Sequence, residues 1–394
     1  MLLKIFSPVL LLLFIQFIFY LIYNGFSYYP NSSTQIIVSG LYLSTFISII
    51  FYCFFSKVKF EGGRNFVTNK KIDILVVIIA LFFIVKPTII MYLMGVELGF
   101  DYVRQNFYSS DVIRSSAFGS MNIAIFVQTY VASFLWFYII YLTGSKSKRS
   151  NYIFYFLLFS LVLYNMSYAG RFYMYFAIVV LYLKTIMDGK NPLVFLKRYG
   201  IVLVLFLFIS TLIVSIRNNK DGLASSTRDI ISLVEYHILQ PFFLSQKIEF
   251  KQIIVDGYPF RSFIEGLLGP ILYFFGVSFK DQVYGKYSRI FDDPTLYSFY
   301  TGSWYNAFST FFPYIYMDFG LFSFIFIFII FGYFFLSSYL ISDVNLRLKF
   351  LSYLSLMLYF SLFQAPIFSN GTMFVILLFP WLYFFYKKIK FSRI

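Results

Sequence analysis

Cysteine and histidine each occur once in the 394 residues of this chain. The lone Cys53 allows no intrachain disulfide. With His237 as the only imidazole, a conventional zinc site of Cys and His ligands is excluded as well. A metal would have to be a hard ion on carboxylates, and the 17 Asp and Glu residues form no dense cluster along the sequence. Charge is scarce: 12% of residues are charged, against about 25% in soluble domains. No Gly-rich phosphate loop is present, so nothing suggests a nucleotide-bound substrate. No repeat of fixed period and no Pro/Gly/Ser linker is visible, and residues 1–394 read as one membrane domain.

What the chain has is apolar surface. It is 60% hydrophobic and 24% aromatic, with 57 Phe and 36 Tyr and a mean hydropathy of +0.77. This composition predicts an all-α polytopic membrane protein. A spanning helix needs about 20 apolar residues, and ten runs fit: 5–24, 36–55, 73–94, 118–142, 152–168, 172–187, 199–216, 317–341, 350–365 and 372–386. The first run is too long and too poor in flanking charge and small residues for a cleavable signal, and reads as the first span. The net charge of +15 invites a nucleic-acid reading, but its distribution argues for a membrane instead. With the N-terminus inside, 19 basic residues fall in inside segments and 3 (Arg104, Arg114 and Arg171) in short outside ones, as the positive-inside rule requires. The expectation is therefore ten spans with both termini cytoplasmic.

Residues 217–316 interrupt the apolar pattern. They hold His237, 5 of the 11 prolines and 18 of the 49 charged residues. A loop this long is usually functional or disordered, and its Tyr, Phe, Leu and Ile content argues against disorder. It is expected outside as one large extracytoplasmic insertion. Arg217 and Lys220 start it at headgroup level, suited to an anionic lipid head or to ordinary phospholipid contact. Ser226 and Asp229 read as a capping box for a helix to Gln240, stopped by Pro241. On it Arg228, Ser232, Glu235 and Leu239 share a face, while His237 lies about 200° from Glu235. Glu235 is a candidate base, or half of a surface ion pair with Arg228; His237 is a third-choice base, or a half-buried structural imidazole. Near the loop's end Trp304, Tyr305 and Tyr314 offer aromatic faces for sugars, or interfacial belting. Arg261 is a further polar candidate within the loop. Asp318 opens an apolar span, either as a base or as a helix-start carboxylate. Two candidates lie elsewhere. Arg171, in the short Tyr168-Ala169-Gly170-Arg171-Phe172 turn, could fork onto a phosphate or snorkel. Lys86, before Pro87 inside the third span, marks a functional site or snorkels outward.

Asn306, Thr310 and the run Tyr314-Ile315-Tyr316-Met317-Asp318-Phe319-Gly320 resemble the C-terminal signature of bacterial O-antigen polymerases, the Wzy-type oligosaccharide repeat-unit polymerases. The expected topology, the outside Gly-Arg turn and the Arg opening a large periplasmic loop are similar too. The Ala169-Gly170-Arg171 turn departs from the family's pattern in lacking a hydroxyl residue just before the Arg. The resemblance implies an inverting, metal-independent glycosyltransferase with a glycosyltransferase-C-like helical membrane fold and no cofactor. It would work at the periplasmic face of the inner membrane on undecaprenyl-diphosphate-linked oligosaccharides, in lipopolysaccharide synthesis. It also implies a chain-length regulator and a flippase as partners, and no nucleic acid. Arg171 and Arg217 would stabilise the diphosphate leaving group. Glu235, Asp318 or His237 would take the acceptor proton. Lys86, Lys220, Arg228, Arg261, Trp304, Asn306, Thr310 and Tyr314 would bind substrate. The competing readings are an O-antigen ligase or other lipid-linked-sugar glycosyltransferase, and a polysaccharide flippase or transporter. The last is disfavoured by the missing repeat and by the few charges within spans.

Overall fold

A computed structural model describes residues 1–56, 68–109, 111–170, 172–217, 226–253, 255, 258–274, 276, 295–305, 310–363 and 370–391. The chain divides into two compact units, one of Met1–Lys59 with Ile230–Ile394 and one of Phe60–Asp229.

Among the described residues six helices are long and apolar enough to cross a membrane. Leu2–Ile22, Ser32–Phe55 and Phe312–Ser338 belong to the first unit; Lys70–Leu98, Met121–Leu142 and Pro192–Ile213 belong to the second. At 1.5 Å per residue the shortest of these reaches roughly 30 Å, the thickness of a hydrocarbon core. Lys148–Met166, Phe172–Met187, Val344–Ser361 and residues 370–391 are helical where further spans were expected, but fall short of that length or apolarity. The protein is thus an all-α polytopic membrane protein.

In the first unit Leu2–Ile22, Ser32–Phe55, Phe312–Ser338 and Val344–Ser361 pack together around fully buried Phe6, Tyr20, Tyr42, Phe312 and Tyr353. Gln16 sits in mid-span and is fully buried. A polar side chain at that depth must find partners inside the protein. Gln16 Nε2 donates to the carbonyls of His237 (2.8 Å) and Leu362 (3.3 Å), and Oε1 accepts from Tyr42 OH at 3.1 Å. The Phe312–Ser338 helix starts with Pro313 in its first turn and passes through a 3-10 turn at Gly320–Phe322. It therefore begins five residues before the span expected at 317, because Tyr314 and Ile315 are core residues and not loop.

The second unit holds a Lys70–Leu98 helix whose middle, Leu81–Val85, is a π turn. Pro87 explains it. Proline has no N–H to bond back four residues, and the ladder relaxes so that Lys86 N–H donates to Leu81 O. At one end Asp73 is buried and takes three partners: an ion pair with Arg149 Nε at 2.8 Å and hydrogen bonds from Thr68 Oγ1 and Tyr138 OH. This latch joins the start of Lys70–Leu98 to Met121–Leu142 and Lys148–Met166.

The turn between Lys148–Met166 and Phe172–Met187 is organised by Asn165. Its Oδ1 accepts Tyr173 N–H at 3.1 Å, its Nδ2 donates to Tyr168 OH at 2.6 Å, and its carbonyl accepts Gly170 N–H at 2.8 Å. A Cβ on Gly170 would come within 2.3 Å of Asn165 Nδ2, so the close approach demands glycine. We expect Gly170→Ala to cost roughly 1–3 kcal/mol through overpacking. Gly200→Ala, where a Cβ meets nothing within 4 Å, should be neutral or stabilise by up to about 1 kcal/mol. Thermal unfolding of both variants in detergent checks this pair.

Candidate functional site

The Ser226–Ile238 helix carries Glu235 into the interior of the first unit, where the residue is 1% exposed. An isolated buried carboxylate is prohibitively costly, and here hydroxyl groups surround it. Ser298 Oγ donates to Oε1 at 2.6 Å, Tyr305 OH to Oε2 at 2.9 Å and Thr301 Oγ1 to Oε2 at 3.3 Å. Tyr23 OH also donates to Oε1. Three of these donors come from one antiparallel hairpin, β1 (Leu296–Ser298) and β2 (Ser303–Tyr305), with Ser298 opposite Ser303 and Leu296 opposite Tyr305. Its connecting loop turns at Gly302, φ +63°. The stretch after the first helix adds an isolated antiparallel bridge, Phe26 opposite Ser298: Ser27 N–H donates to Tyr297 O and Phe299 N–H to Gly25 O. Burial of the phenol pushes the Tyr305 pKa up to about 12.

The outward side of the hairpin is aromatic. Trp304 is 62% exposed and packs against Tyr297 at 5.3 Å between ring centroids, with Phe299 and Tyr300 exposed beside it. Tyr305 and Tyr314, expected to offer sugar-stacking faces, do not. Tyr305 turns inward to Glu235, and Tyr314 is fully buried in its helix packing. The alternative of a Glu235–Arg228 surface pair does not hold either: Glu235 is buried, whereas Arg228 is exposed. His237 lies on a different side of the helix. Its Nδ1–H donates to Leu233 O at 2.6 Å, and the ring meets Phe363 edge-on at 4.9 Å. Pro241 does more than stop this helix. It sits in the first turn of the next one, Gln240–Glu249, whose buried Phe242 and Ser245 pack on Tyr20.

Asp318 is 4% exposed and lies in the last turn before Gly320. Its carboxylate accepts Ser262 N–H (3.1 and 3.2 Å) and Ser262 Oγ at 3.0 Å. It thus caps the N-terminus of the Arg261–Phe274 helix, a favourable place for a negative charge, rather than serving the start of its own span. The residue before that helix, Phe260, has a left-handed backbone (φ +64°) and is clamped by Phe319 and Phe326 at 5.0 and 5.7 Å. Non-glycine residues in that conformation store strain and are held by their surroundings. Immediately after it, Arg261 Nε pairs with Glu265 Oε1 at 2.7 Å, one turn on. Arg261 and Glu265 line an open cavity of about 490 Å³ with Tyr258, Pro259 and Ile264. Arg261 was a sequence candidate; Glu265 was not, although its i, i+4 spacing from Arg261 is a readable signal.

Thr310 is buried, and its Oγ1 has no hydrogen-bond partner among the described residues. In the second unit Lys86 is exposed on a cavity of about 380 Å³ lined by Ile78, Phe82, Pro87 and Phe118. The helix continues to Leu98, which places Lys86 about 12 residues, or ~18 Å, from its end, deeper than the sequence implied. Arg217 ends the Pro192–Arg217 helix. Arg171, Lys220 and Asn306, and the side chain of Arg217, lie outside the described residues. Arg104, however, donates to the carbonyl of Ala169 at 3.2 Å, so a guanidinium sits on the turn that Arg171 follows. Among the described residues no three of His, Cys, Asp and Glu come together as metal ligands. No family model, curated protein or solved structure matches this chain.

If Glu235 holds the hairpin, Glu235→Ala should strand four hydroxyl donors and destabilise the protein by roughly 2–4 kcal/mol, with Trp304→Ala near neutral. Thermal midpoints of the two variants decide it. The raised pKa of Tyr305 makes its contribution fully present below pH ~10 and lost as pH rises through about 12. Tyr305→Phe should flatten that alkaline limb of the stability profile.

Proposed function

We propose that this chain is a membrane glycosyltransferase of the O-antigen-polymerase kind, joining polyprenyl-diphosphate-linked oligosaccharide repeat units at the outer face of the bacterial cytoplasmic membrane. The observation that carries the reading is the Arg261–Glu265 pair, set in an open cavity on a helix start held rigid by Asp318 and Phe260. Glycosyl transfer from a lipid diphosphate needs a carboxylate within reach of an acceptor hydroxyl and cations for the leaving group. In this reading Glu265 takes the proton as the acceptor oxygen attacks the anomeric carbon. The carbon–oxygen bond to the diphosphate breaks, the configuration inverts, and polyprenyl diphosphate departs. Arg261 orients Glu265. Trp304, Phe299 and Tyr300 offer aromatic faces to sugars. Arg171 and Arg217 stay proposed as diphosphate contacts on the strength of the sequence, with Lys86 and Lys220 as accessory cations. Glu235 and Asp318 are assigned to scaffolding, since both are almost fully buried, whereas Glu265 lines an open cavity. Ten spans, the periplasmic placement of residues 217–316 and cytoplasmic termini belong to the same proposal.

Deleting the gene and examining surface polysaccharide on gels tests it. Collapse of the ladder to one repeat unit is expected; complete loss of attached polysaccharide points to a ligase, and an unchanged ladder contradicts the reading. On complementation, Glu265→Gln should abolish the ladder at normal membrane abundance. Arg171→Ala and Arg217→Ala should each reduce polymerisation about 100- to 1000-fold, as for loss of one preorganised anion donor. Orientation is tested separately. Reporter fusions after Lys148, Lys190 and Lys390 should read cytoplasm, and fusions near Gly222 and Asp292 periplasm.

A further inference from the structure

A second polar cavity lies within the Phe60–Asp229 unit. About 460 Å³ in volume, it is lined by Lys146, Lys184, Lys190 and Arg198 against one carboxylate, Asp188, together with Asn151 and Tyr155. Two short connections build its walls, and both turn on glycines in the left-handed region: Gly144 (φ +73°) between Met121–Leu142 and Lys148–Met166, and Gly189 (φ +76°) between Phe172–Met187 and Pro192–Arg217. A Cβ on Gly144 would lie 3.1 Å from Met187 O, so the two connections are pressed together and the cavity is preformed. Lys184 forms the floor. It is 3% exposed, and its Nζ donates to Asn151 Oδ1 at 2.9 Å, pairs with Asp188 at 3.5 Å and lies 5.1 Å from the Phe154 ring. The remaining cations form an exposed rim, on which the Arg198 guanidinium stacks over Tyr199 at 5.3 Å. Tyr199 OH in turn shares a hydrogen bond with Tyr155 OH at 3.1 Å, closing the cavity between two helices.

We propose that this cavity holds the phosphate of an anionic phospholipid. Four cations against one carboxylate select an anion, and basic pockets between membrane helices are suited to anionic headgroups. Apolar surface continues from the rim. Leu193, Leu196, Ile201 and Val204 on Pro192–Arg217, with Phe159 on Lys148–Met166, are exposed, which supplies a bed for acyl chains that a soluble phosphate would not use. The loops concerned are those that the charge asymmetry assigns to the cytoplasm, so the site belongs to the inner leaflet. The lipid site does not depend on the glycosyltransferase chemistry; only its leaflet rests on the proposed orientation.

Purified full-length protein in detergent, titrated with phosphatidylglycerol, phosphatidylcholine or inorganic phosphate, tests it through lipid-dependent shifts of the thermal midpoint. Phosphatidylglycerol should shift the midpoint saturably and phosphatidylcholine should not. The double substitution Lys190→Gln with Arg198→Gln, both at the exposed rim, should weaken the phosphatidylglycerol effect about thirtyfold, roughly fivefold per cation. The unliganded midpoint of the double variant should match wild type, and Lys190→Arg should retain binding. Equal response to both lipids, or an unchanged phosphatidylglycerol response in the double variant, overturns the site. Saturable binding of inorganic phosphate at concentrations matching the lipid, lost in the double variant, assigns the cavity to a soluble phosphate compound and overturns the lipid.

Discussion

Burial of the Glu235 carboxylate is the constraint on which the first unit turns. A carboxyl group cannot be held at 1% exposure unless its oxygens are satisfied, and the donors converge from two places in the chain: the end of the first helix through Tyr23, and the hairpin through Ser298, Thr301 and Tyr305. Neither the short hairpin nor the Gly25–Ser27 stretch could stand alone; two-stranded ribbons are marginal in water. The carboxylate makes them one object, and that object presents Trp304, Phe299 and Tyr300 outward. The same buried donors make Glu235 a poor place to look for proton transfer, which is why Glu265, in an open cavity, takes that role in our account.

The pattern recurs wherever a polar side chain enters apolar surroundings. Gln16 is shared between two carbonyls and a phenol. Asp73 is divided between Arg149, Thr68 and Tyr138, and Asn165 between a helix start, a phenol and a glycine amide. Asp318 closes a helix N-terminus. A low-dielectric setting leaves such groups no water to fall back on, so each becomes a cross-link. Groups left at a cavity wall, such as Arg261 with Glu265 or the rim of the basic pocket, are the ones positioned to meet a ligand.

Membrane class and helix positions were legible because the 20-residue apolar run is a strong signal. Each expected run from 5–24 to 372–386 overlaps a helix, and six of them fall in helices long and apolar enough to cross a membrane. The start of the Ser226–Ile238 helix was legible from Ser226, and the opposed faces of Glu235 and His237 from helical geometry alone. The inward turn of Tyr305 was not legible, because alternation in a three-residue strand is too short to fix a face. Asp318 as a cap on a helix 56 residues away in sequence could not be read locally. The division into two units had no sequence signal either, since one boundary falls inside the Ser226–Ile238 helix and no linker marks it. Glu265 was hidden by its resemblance to any surface i, i+4 partner of an arginine, and only the strained Phe260 and the adjoining cavity distinguish it.

The central claim is that the protein itself forms glycosidic bonds from a lipid-diphosphate donor. It is tested most directly by reconstituting the purified full-length chain with polyprenyl-diphosphate-linked repeat units and following both products, longer lipid-linked oligosaccharide and released polyprenyl diphosphate. The account predicts their formation in equal amounts without nucleotide sugar, abolished by Glu265→Gln. Movement of intact lipid-linked units across the bilayer with no polyprenyl diphosphate released would contradict it.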